Sequence, residues 1–181
     1  YINNLDNLIT SKQVALTETD IANSITKRME YQNVDKARVK GVDISINSYL
    51  GYGISLGGSY SFVDAKDTNT DSRLPRSIKH SGSINSNWNK VWGFYTLNVN
   101  LAGRLQSERF ETGTYGNAPG YQLWNLSTRH TFNNLANFIL EPGIGVENIF
   151  NYRDDRPYNS NYATLSPGRT YYVSLLLKFR K

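Results

Sequence analysis

Apolar and polar residues alternate along most of the chain. Near its end, Tyr171, Val173, Leu175, Leu177 and Phe179 are all apolar or aromatic. The intervening Tyr172, Ser174, Lys178 and Arg180 are polar, with Leu176 the exception. Successive side chains of a strand point to opposite faces, so this run predicts a strand with one oily and one wet face. The same reading predicts a strand with Val42, Ile44, Ile46 and Leu50 opposite Asp43, Ser45, Asn47 and Tyr49. Val39 is out of phase with it, which predicts a bulge near Lys40 and Gly41. Further strands follow from Ile54 to Val63, from Lys79 to Trp88 and from Tyr95 to Gln106. In the last of these, Tyr95, Leu97, Val99, Leu101 and Leu105 alternate with Thr96, Asn98, Asn100, Ala102, Arg104 and Gln106. Trp124 to Phe132 and Phe138 to Glu147 complete the regular series. A short strand opens the chain at Tyr1 to Thr10, and Ser11 to Ser24 reads as a loop. A weak strand start lies between Ile25 and Val34.

About eight strands result, with no good amphipathic helix. Their connections alternate in length. Gly51-Tyr52-Gly53, Asn89-Lys90-Val91 and Asn133-Asn134-Leu135 read as short turns, whereas Asp64 to Ser77, Ser107 to Gly120 and Asn151 to Pro167 read as long polar loops. In an up-and-down antiparallel sheet all short turns then lie at one end and all long loops at the other, an asymmetry of outer-membrane barrels. Alternation alone does not say whether the oily face meets a protein core or lipid, because a soluble barrel or sandwich alternates too. The aromatic residues favour lipid. Tyr60, Phe62, Trp88, Trp92, Phe94, Tyr95, Phe132 and Phe179 lie near strand ends, where a membrane barrel carries interfacial girdles.

Composition narrows the remaining classes. A chain of 181 residues suffices for one domain. No segment approaches the roughly 20 apolar residues of a membrane helix, but a barrel strand needs only about 9–11. The 13 Tyr and 14 Gly, with many Asn and Ser, suit strands and turns. Cysteine is absent, which removes disulfides, thiolate chemistry and Cys-based metal sites. The net charge of +5 suits an anionic ligand or an anionic membrane surface without requiring either. The chain begins at Tyr1 without an initiator Met or a leader pattern, so the expectation is a processed chain or a piece of a longer one.

Four blocks resemble the C-terminal part of TonB-dependent outer-membrane receptors, such as the ferric enterobactin, colicin I and cobalamin receptors of Gram-negative bacteria. They are Tyr1 to Ile9 with its Asp6-Asn7-Leu8-Ile9 ending, and Tyr31-Gln32-Asn33-Val34-Asp35-Lys36-Ala37 with Gly41 and Asp43. Tyr60 to Asp67 with Arg73-Leu74-Pro75-Arg76 is the third. The fourth is Gly145-Val146-Glu147-Asn148-Ile149-Phe150-Asn151 with Pro167-Gly168-Arg169-Thr170. Their order is that of the family. The resemblance implies an all-β transmembrane antiparallel barrel of 22 strands. This chain (1–181) supplies about the last eight, while an N-terminal plug and the TonB contact lie outside it. It implies an outer-membrane importer of a scarce chelate, ferric siderophore or haem, energised through TonB. Cobalamin and glycan importers are the alternatives within the family. It also implies that Tyr95, Leu97, Val99, Leu101, Leu105, Tyr171, Val173, Leu175, Leu177 and Phe179 face lipid. Arg180 and Lys181 depart from the pattern, since family members usually end at the aromatic of the last strand.

Chemistry-bearing residues give little support to an enzyme. Asp67-Thr68-Asn69-Thr70-Asp71 starts like a calcium loop but has Ser72 and Ile78 where Gly and Glu belong, so it reads as a solvated loop. His80 and His130 fall on the lipid-side phase without a metal-ligand partner, and no resident metal or cofactor is expected. Glu141 and Glu147 are six residues apart on one strand, about 20 Å, too far for a glycosidase pair. Arg73, Arg76, Arg109, Arg153 and Arg156 stand in or beside the long loops with Tyr115 and Tyr158. Such a mouth suits an anionic aromatic ligand through charge-assisted hydrogen bonds and cation–π contact. The same basic groups also suit lipopolysaccharide phosphates. Arg169 reads as a strand-start anchor. Two rivals remain: a self-contained eight-stranded adhesin or porin, whose first and last strands pair, and a soluble nucleic-acid binder.

Overall fold

The computed structural model describes residues 1–111, 116–135, 137–154 and 167–179, with side chains described for all of these except 7, 8, 10–13, 32–35 and 134. Eight strands follow one another: β1 (Ile2–Val14), β2 (Arg28–Gly51), β3 (Ile54–Asp67), β4 (His80–Trp92), β5 (Tyr95–Gln106), β6 (Tyr121–Leu135), β7 (Phe138–Glu147) and β8 (Thr170–Phe179). Each pairs antiparallel with the next in a single sheet of order β1-β2-β3-β4-β5-β6-β7-β8. β1 and β8 are the edges, so the sheet is open. One short helix, α1 (Glu18–Ala22), lies between β1 and β2. No helix among the described residues is long and apolar enough to cross a membrane.

The register brings the apolar rows of successive strands onto one surface. Val42 pairs Phe62 and Ile44 pairs Tyr60. Ile54 pairs Trp88, Trp88 pairs Val99, and Tyr95 pairs Phe132. Val146 pairs Tyr171 and Ile144 pairs Val173, down to Phe138 and Phe179. The opposite surface carries Ser59 against Ser83, Asn87 against Asn100, Asn98 against Arg129 and Gly143 against Ser174. Among the described residues no second layer of structure covers either surface. Among the described residues the buried apolar ones are Ala37, Ala65 and Ala118, while Val173 stays 81% and Leu175 71% exposed. Such a contiguous apolar surface exceeds what a soluble monomer leaves open.

Glycines let large side chains lie flat on the sheet. A Cβ at Gly103 would sit 2.6 Å from the Trp124 ring, so the missing side chain is the ring's seat. The turns at Gly51–Gly53, Gly93–Phe94 and Leu135–Phe138 lie at one end, and the longer connections at the other.

Several expectations need correction. β1 runs to Val14, four residues beyond Thr10, and α1 occupies part of the stretch read as a loop. There the strand is held by pairing to β2, with Val14 opposite Arg28, and not by an oily face. No bulge occurs at Lys40 and Gly41, where pairing to β3 is continuous; the shift lies between Tyr49 and Gly51. Val39 falls out of phase because polarity inverts above the apolar band. Ala37, 1% exposed, shares its face with Val39, while Arg38 and Lys40 share theirs with Val42. The turn after β4 is at Gly93, since Asn89 and Lys90 still pair Asn98 and Leu97. Gly93, at φ 57, takes the left-handed conformation that a turn needs and most residues avoid. β6 likewise continues through Leu135, which pairs Phe138 after a register shift.

The helix is fixed by a reciprocal cap. Thr17 Oγ1 donates to Asp20 at 2.7 Å, the Thr17 backbone N–H donates to the same carboxylate at 2.9 Å, and the Asp20 N–H donates to Thr17 Oγ1 at 3.2 Å. The Thr17 hydroxyl, then its N–H, hold the Asp20 carboxyl below its ordinary pKa of 3.8; Arg28 adds to this. A carboxyl lowered on folding stabilises the folded form above its unfolded pKa and loses that contribution as pH falls through the folded value. Amide exchange of Asp20 and Ile21 is therefore expected to be slow and flat from neutral pH to about 4 once corrected for intrinsic rates, and to rise below that. A flat corrected profile down to pH 2 would show that the cap carries nothing.

Candidate ligand mouth and channel wall

The long-loop end is built from the β3–β4 and β5–β6 connections, which interlock. Arg76 N–H donates to Phe110 O at 2.7 Å and Phe110 N–H to Ser77 O at 2.9 Å. Arg109 and Ala118 exchange two backbone bonds of 2.9 Å, and Arg109 also bridges Ile78. Arg73 sits 5.1 Å over the Phe110 ring and pairs with Glu108 at 3.4 Å. Arg109 pairs with Glu111 at 3.5 Å, and the Glu111 side chain is only 3% exposed. The structure thus places Arg73, Arg76 and Arg109 on one pair of interlocked loops. It also gives two of these guanidinium groups carboxylate partners from the same loop pair. A compensated guanidinium offers less field to an anion than its formal charge suggests.

A second anchor lies at the start of the β7–β8 connection. Asn148, 4% exposed, takes a left-handed φ of 52 and exchanges hydrogen bonds with Tyr152: its Nδ2 donates to Tyr152 O at 2.7 Å and its Oδ1 accepts the Tyr152 N–H at 2.8 Å. Asn125 Oδ1 accepts the Asn148 N–H at 2.9 Å, which ties the connection to β6. Tyr152 stacks on Tyr121 at 5.5 Å, and the Tyr121 hydroxyl donates to Gln106 at 3.2 Å. Arg169 N–H donates to Asn151 Oδ1 at 2.9 Å, which places Arg169 at the strand start. Arg153 lies against Gly168, apart from the other three arginines. Tyr115, Arg156 and Tyr158 lie outside the described residues, as do Arg180 and Lys181.

Below the mouth the polar surface is a ladder of amides and hydroxyls. Asn87 and Asn98 exchange two hydrogen bonds of 3.2 and 3.1 Å, and Asn100 donates to Asn85 at 3.0 Å. Ser59 meets Ser83 at 2.7 Å, and Ser61 donates to Asp43 at 2.5 Å. Glu141 is paired with Lys178 at 2.8 Å. Two recesses open on this ladder. One, of about 720 Å³, is bordered by residues of both surfaces, among them Tyr60, His80 and Leu105 on the apolar side and Gln106, Tyr121 and Tyr152 on the polar side. The other, of about 510 Å³, is bordered among others by Asn47, Tyr49, Asn85, Asn87 and Asn100.

On the apolar surface the rings gather in two bands. Near the short turns, Trp92 stacks on Tyr95 at 5.8 Å, Tyr95 meets Phe132 at 5.1 Å, and Phe138 meets Phe179 at 5.0 Å. Near the long loops, Phe62 meets His80 at 5.3 Å and Tyr60 hydrogen-bonds His80 Nδ1 at 2.7 Å. His130 is bound in the same way to Tyr95 at 2.7 Å. Each histidine is therefore a satisfied member of an aromatic band. Among the described residues no group of His, Asp and Glu is arranged to hold a metal ion.

Sequence alone does not show the Tyr121–Tyr152 stack, because its partners are 31 positions apart and meet only through the fold.

Known proteins bear on this arrangement in two ways. The family model "TonB dependent receptor-like, beta-barrel" matches residues 1–151. Among solved structures, the crystal structure of BauA, the ferric preacinetobactin receptor from Acinetobacter baumannii, is similar with a TM-score of 0.65 at 16% identity. That match covers 92% of this chain and 26% of BauA, so the chain spans about a quarter of that receptor's length. A likeness at this identity establishes the fold, and the family match carries the membership. With its single antiparallel sheet, its alternating turns and loops and its match over residues 1–151, the chain belongs to the TonB-dependent receptor β-barrel family, a receptor and transporter family of the outer membrane.

Proposed function

We propose that this chain is part of the barrel wall, about the last eight strands of 22, of an outer-membrane receptor that imports a ferric siderophore or haem with energy from TonB. The observation that carries the reading is the uncovered apolar surface running across β2 to β8, banded by rings at both ends. Lipid is the cover that such a surface fits, with Tyr95, Leu97, Val99, Leu101, Leu105, Tyr171, Val173, Leu175, Leu177 and Phe179 on it. In hydrocarbon an unpaired strand edge is untenable, so the edges β1 and β8 must be paired, on this reading with further strands of the whole protein. The interlocked arginine-bearing loops then form part of the outer mouth, where their basic groups also meet lipopolysaccharide phosphates. BauA, by its printed title, receives a ferric siderophore, which supports a chelate as the ligand class.

Two measurements test this. The intact mass of the native protein extracted in detergent is expected to be several-fold above 20.5 kDa. A mass near 20.5 kDa would sink the wall-piece reading and leave a self-closed eight-stranded adhesin or porin. Cells that depend on the native protein are then given radioactive iron as a catecholate siderophore or as haem. One of the two is expected to accumulate, and a protonophore is expected to abolish the accumulation. Accumulation of both at the rate of receptor-less cells would overturn chelate import.

A further inference from the structure

The apolar surface carries a single charge. From Val42, Phe62 and His80 to the short turns, Lys90 is the one Lys, Arg, Asp or Glu on that surface of β2 to β8 among the described residues. It is half-buried and has no carboxylate partner among them. An ionisable group on a lipid-covered surface is costly and needs a partner or a reach to the interface.

The residues around Lys90 form a notch. Trp88 and Trp92 flank it on the same face of β4. Their Cα atoms are about 13 Å apart along the strand, yet their rings meet edge to face with centroids 6.3 Å apart, so the indoles lean toward each other past Lys90. Trp92 is held further by its stack on Tyr95 at 5.8 Å, whose hydroxyl is bonded to His130. Trp88 is held by its indole N–H, which donates to Tyr52 O at 3.3 Å. That carbonyl belongs to a turn of three left-handed residues, Gly51, Tyr52 and Gly53, at φ 84, 52 and 82. On one side Lys90 faces Leu97. On the other side β3 has ended, since Ile54 pairs Trp88, and the notch is open beside the turn. The Trp92 indole N–H makes no hydrogen bond among the described residues, and Trp92 is 47% exposed. The notch therefore offers an ammonium group and an N–H donor without an acid. Toward the middle of the surface Ser86 lies between Leu56 and Leu101, where its small side chain leaves a furrow.

We propose that this notch binds one anionic phospholipid of the inner leaflet, with Lys90 and the Trp92 N–H on its phosphodiester and an acyl chain in the furrow at Ser86. The short turns of a membrane barrel are periplasmic, so the site rests on the barrel-wall reading for the leaflet it faces. A phosphodiester accepts from both donors, and the bond from the ammonium group is charge-assisted. The notch has no carboxylate for a headgroup amine, since Glu141 lies on the opposite surface and is held by Lys178 at 2.8 Å. A glycerol headgroup is thereby favoured over a choline one.

The test uses the whole protein in detergent, as wild type, Lys90→Gln, Lys90→Arg, Trp92→Phe and the control Lys27→Gln. Native mass spectrometry counts bound lipid while dioleoyl phosphatidylglycerol or dioleoyl phosphatidylcholine is titrated in. The wild type is expected to hold one phosphatidylglycerol about tenfold more tightly than phosphatidylcholine. Lys90→Gln is expected to remove that preference, and Trp92→Phe to weaken it about threefold. Lys90→Arg and the control are expected to keep it. Absence of the preference in the wild type, or its survival in Lys90→Gln, overturns the site. So does equal weakening of both lipids. Displacement of the lipid by inorganic phosphate, at an ionic strength matched with chloride, also overturns it, because the notch would then read a free ion. Lipid that binds without dependence on Lys90 sinks the site and leaves the barrel-wall reading standing. A protein that binds neither lipid and stays soluble without detergent overturns both.

Discussion

Leu175→Arg in the whole protein is expected to cost about 2–4 kcal/mol of folding free energy in lipid vesicles. Leu175 sits midway along β8 between Tyr171, at the long-loop end, and Phe179, in the ring band near the short turns. Those eight residues span about 26 Å along the strand and roughly 20 Å along the membrane normal at a barrel strand's tilt, close to the height of a barrel's apolar band. A guanidinium at that depth has the longest reach to water in either direction. Leu97→Arg is expected to cost less, about 1–2 kcal/mol, because Leu97 lies next to the Tyr95 band and opposite Lys90, which already carries a charge at that level. Asn98→Arg changes the neighbouring residue on the other surface. It forfeits the two amide bonds to Asn87 and sets a second guanidinium opposite Arg129, together about 1 kcal/mol on this exposed surface, without burying charge. The order Leu175 above Leu97 above Asn98, read from reversible unfolding in vesicles, is the expected result. Equal costs at all three positions would refute the assignment of the apolar surface to lipid.

That ordering depends on register, which alternation does not supply. The strands with a sustained oily row, β5, β7 and β8, are legible in the sequence to within a residue or two, because one buried or lipid-covered face imposes a period of two. The upper parts of β1 and β2 are not. There the sequence has no sustained apolar row, and pairing between the two strands replaces the hydrophobic pattern as the cause of structure. The same loss of pattern made Val39 look like a bulge, when it marks the height at which the apolar face changes sides. Turns at Asn and Lys were misplaced because local turn preference is weak beside a continuous ladder: Asn89 and Lys90 pair across to β5 and leave the turn to Gly93. The mouth arginines were legible as loop residues. Their compensation by Glu108 and Glu111 was not, since it depends on how two loops from different hairpins meet.

Glu111 shows how much that loop meeting contributes. Its side chain is 3% exposed against Arg109, itself 26% exposed, and its N–H donates to Asn117 Oδ1 at 3.1 Å. Breaking a fully buried ion pair from one side costs about 3–5 kcal/mol because the remaining charge is left without compensation. The partial exposure of Arg109 lets water offset some of this, so Glu111→Ala is expected to cost about 2–3 kcal/mol. The loss is local, since Arg109 holds Ala118 and Ile78 through backbone bonds while the sheet below is paired independently. It is read as amide exchange at Arg109, Phe110 and Ala118, which should accelerate on the order of a hundredfold while β5 and β6 keep their protection. Glu108→Ala is the matched comparison. It removes a carboxylate from Arg73 at a similar distance, but Glu108 is 53% exposed, so it is expected to change exchange by less than about fivefold. Exchange that rises equally in the two variants would mean that burial of Glu111 contributes nothing to the interlock. Exchange that rises throughout β5 and β6 would mean that the mouth and the wall unfold as one unit.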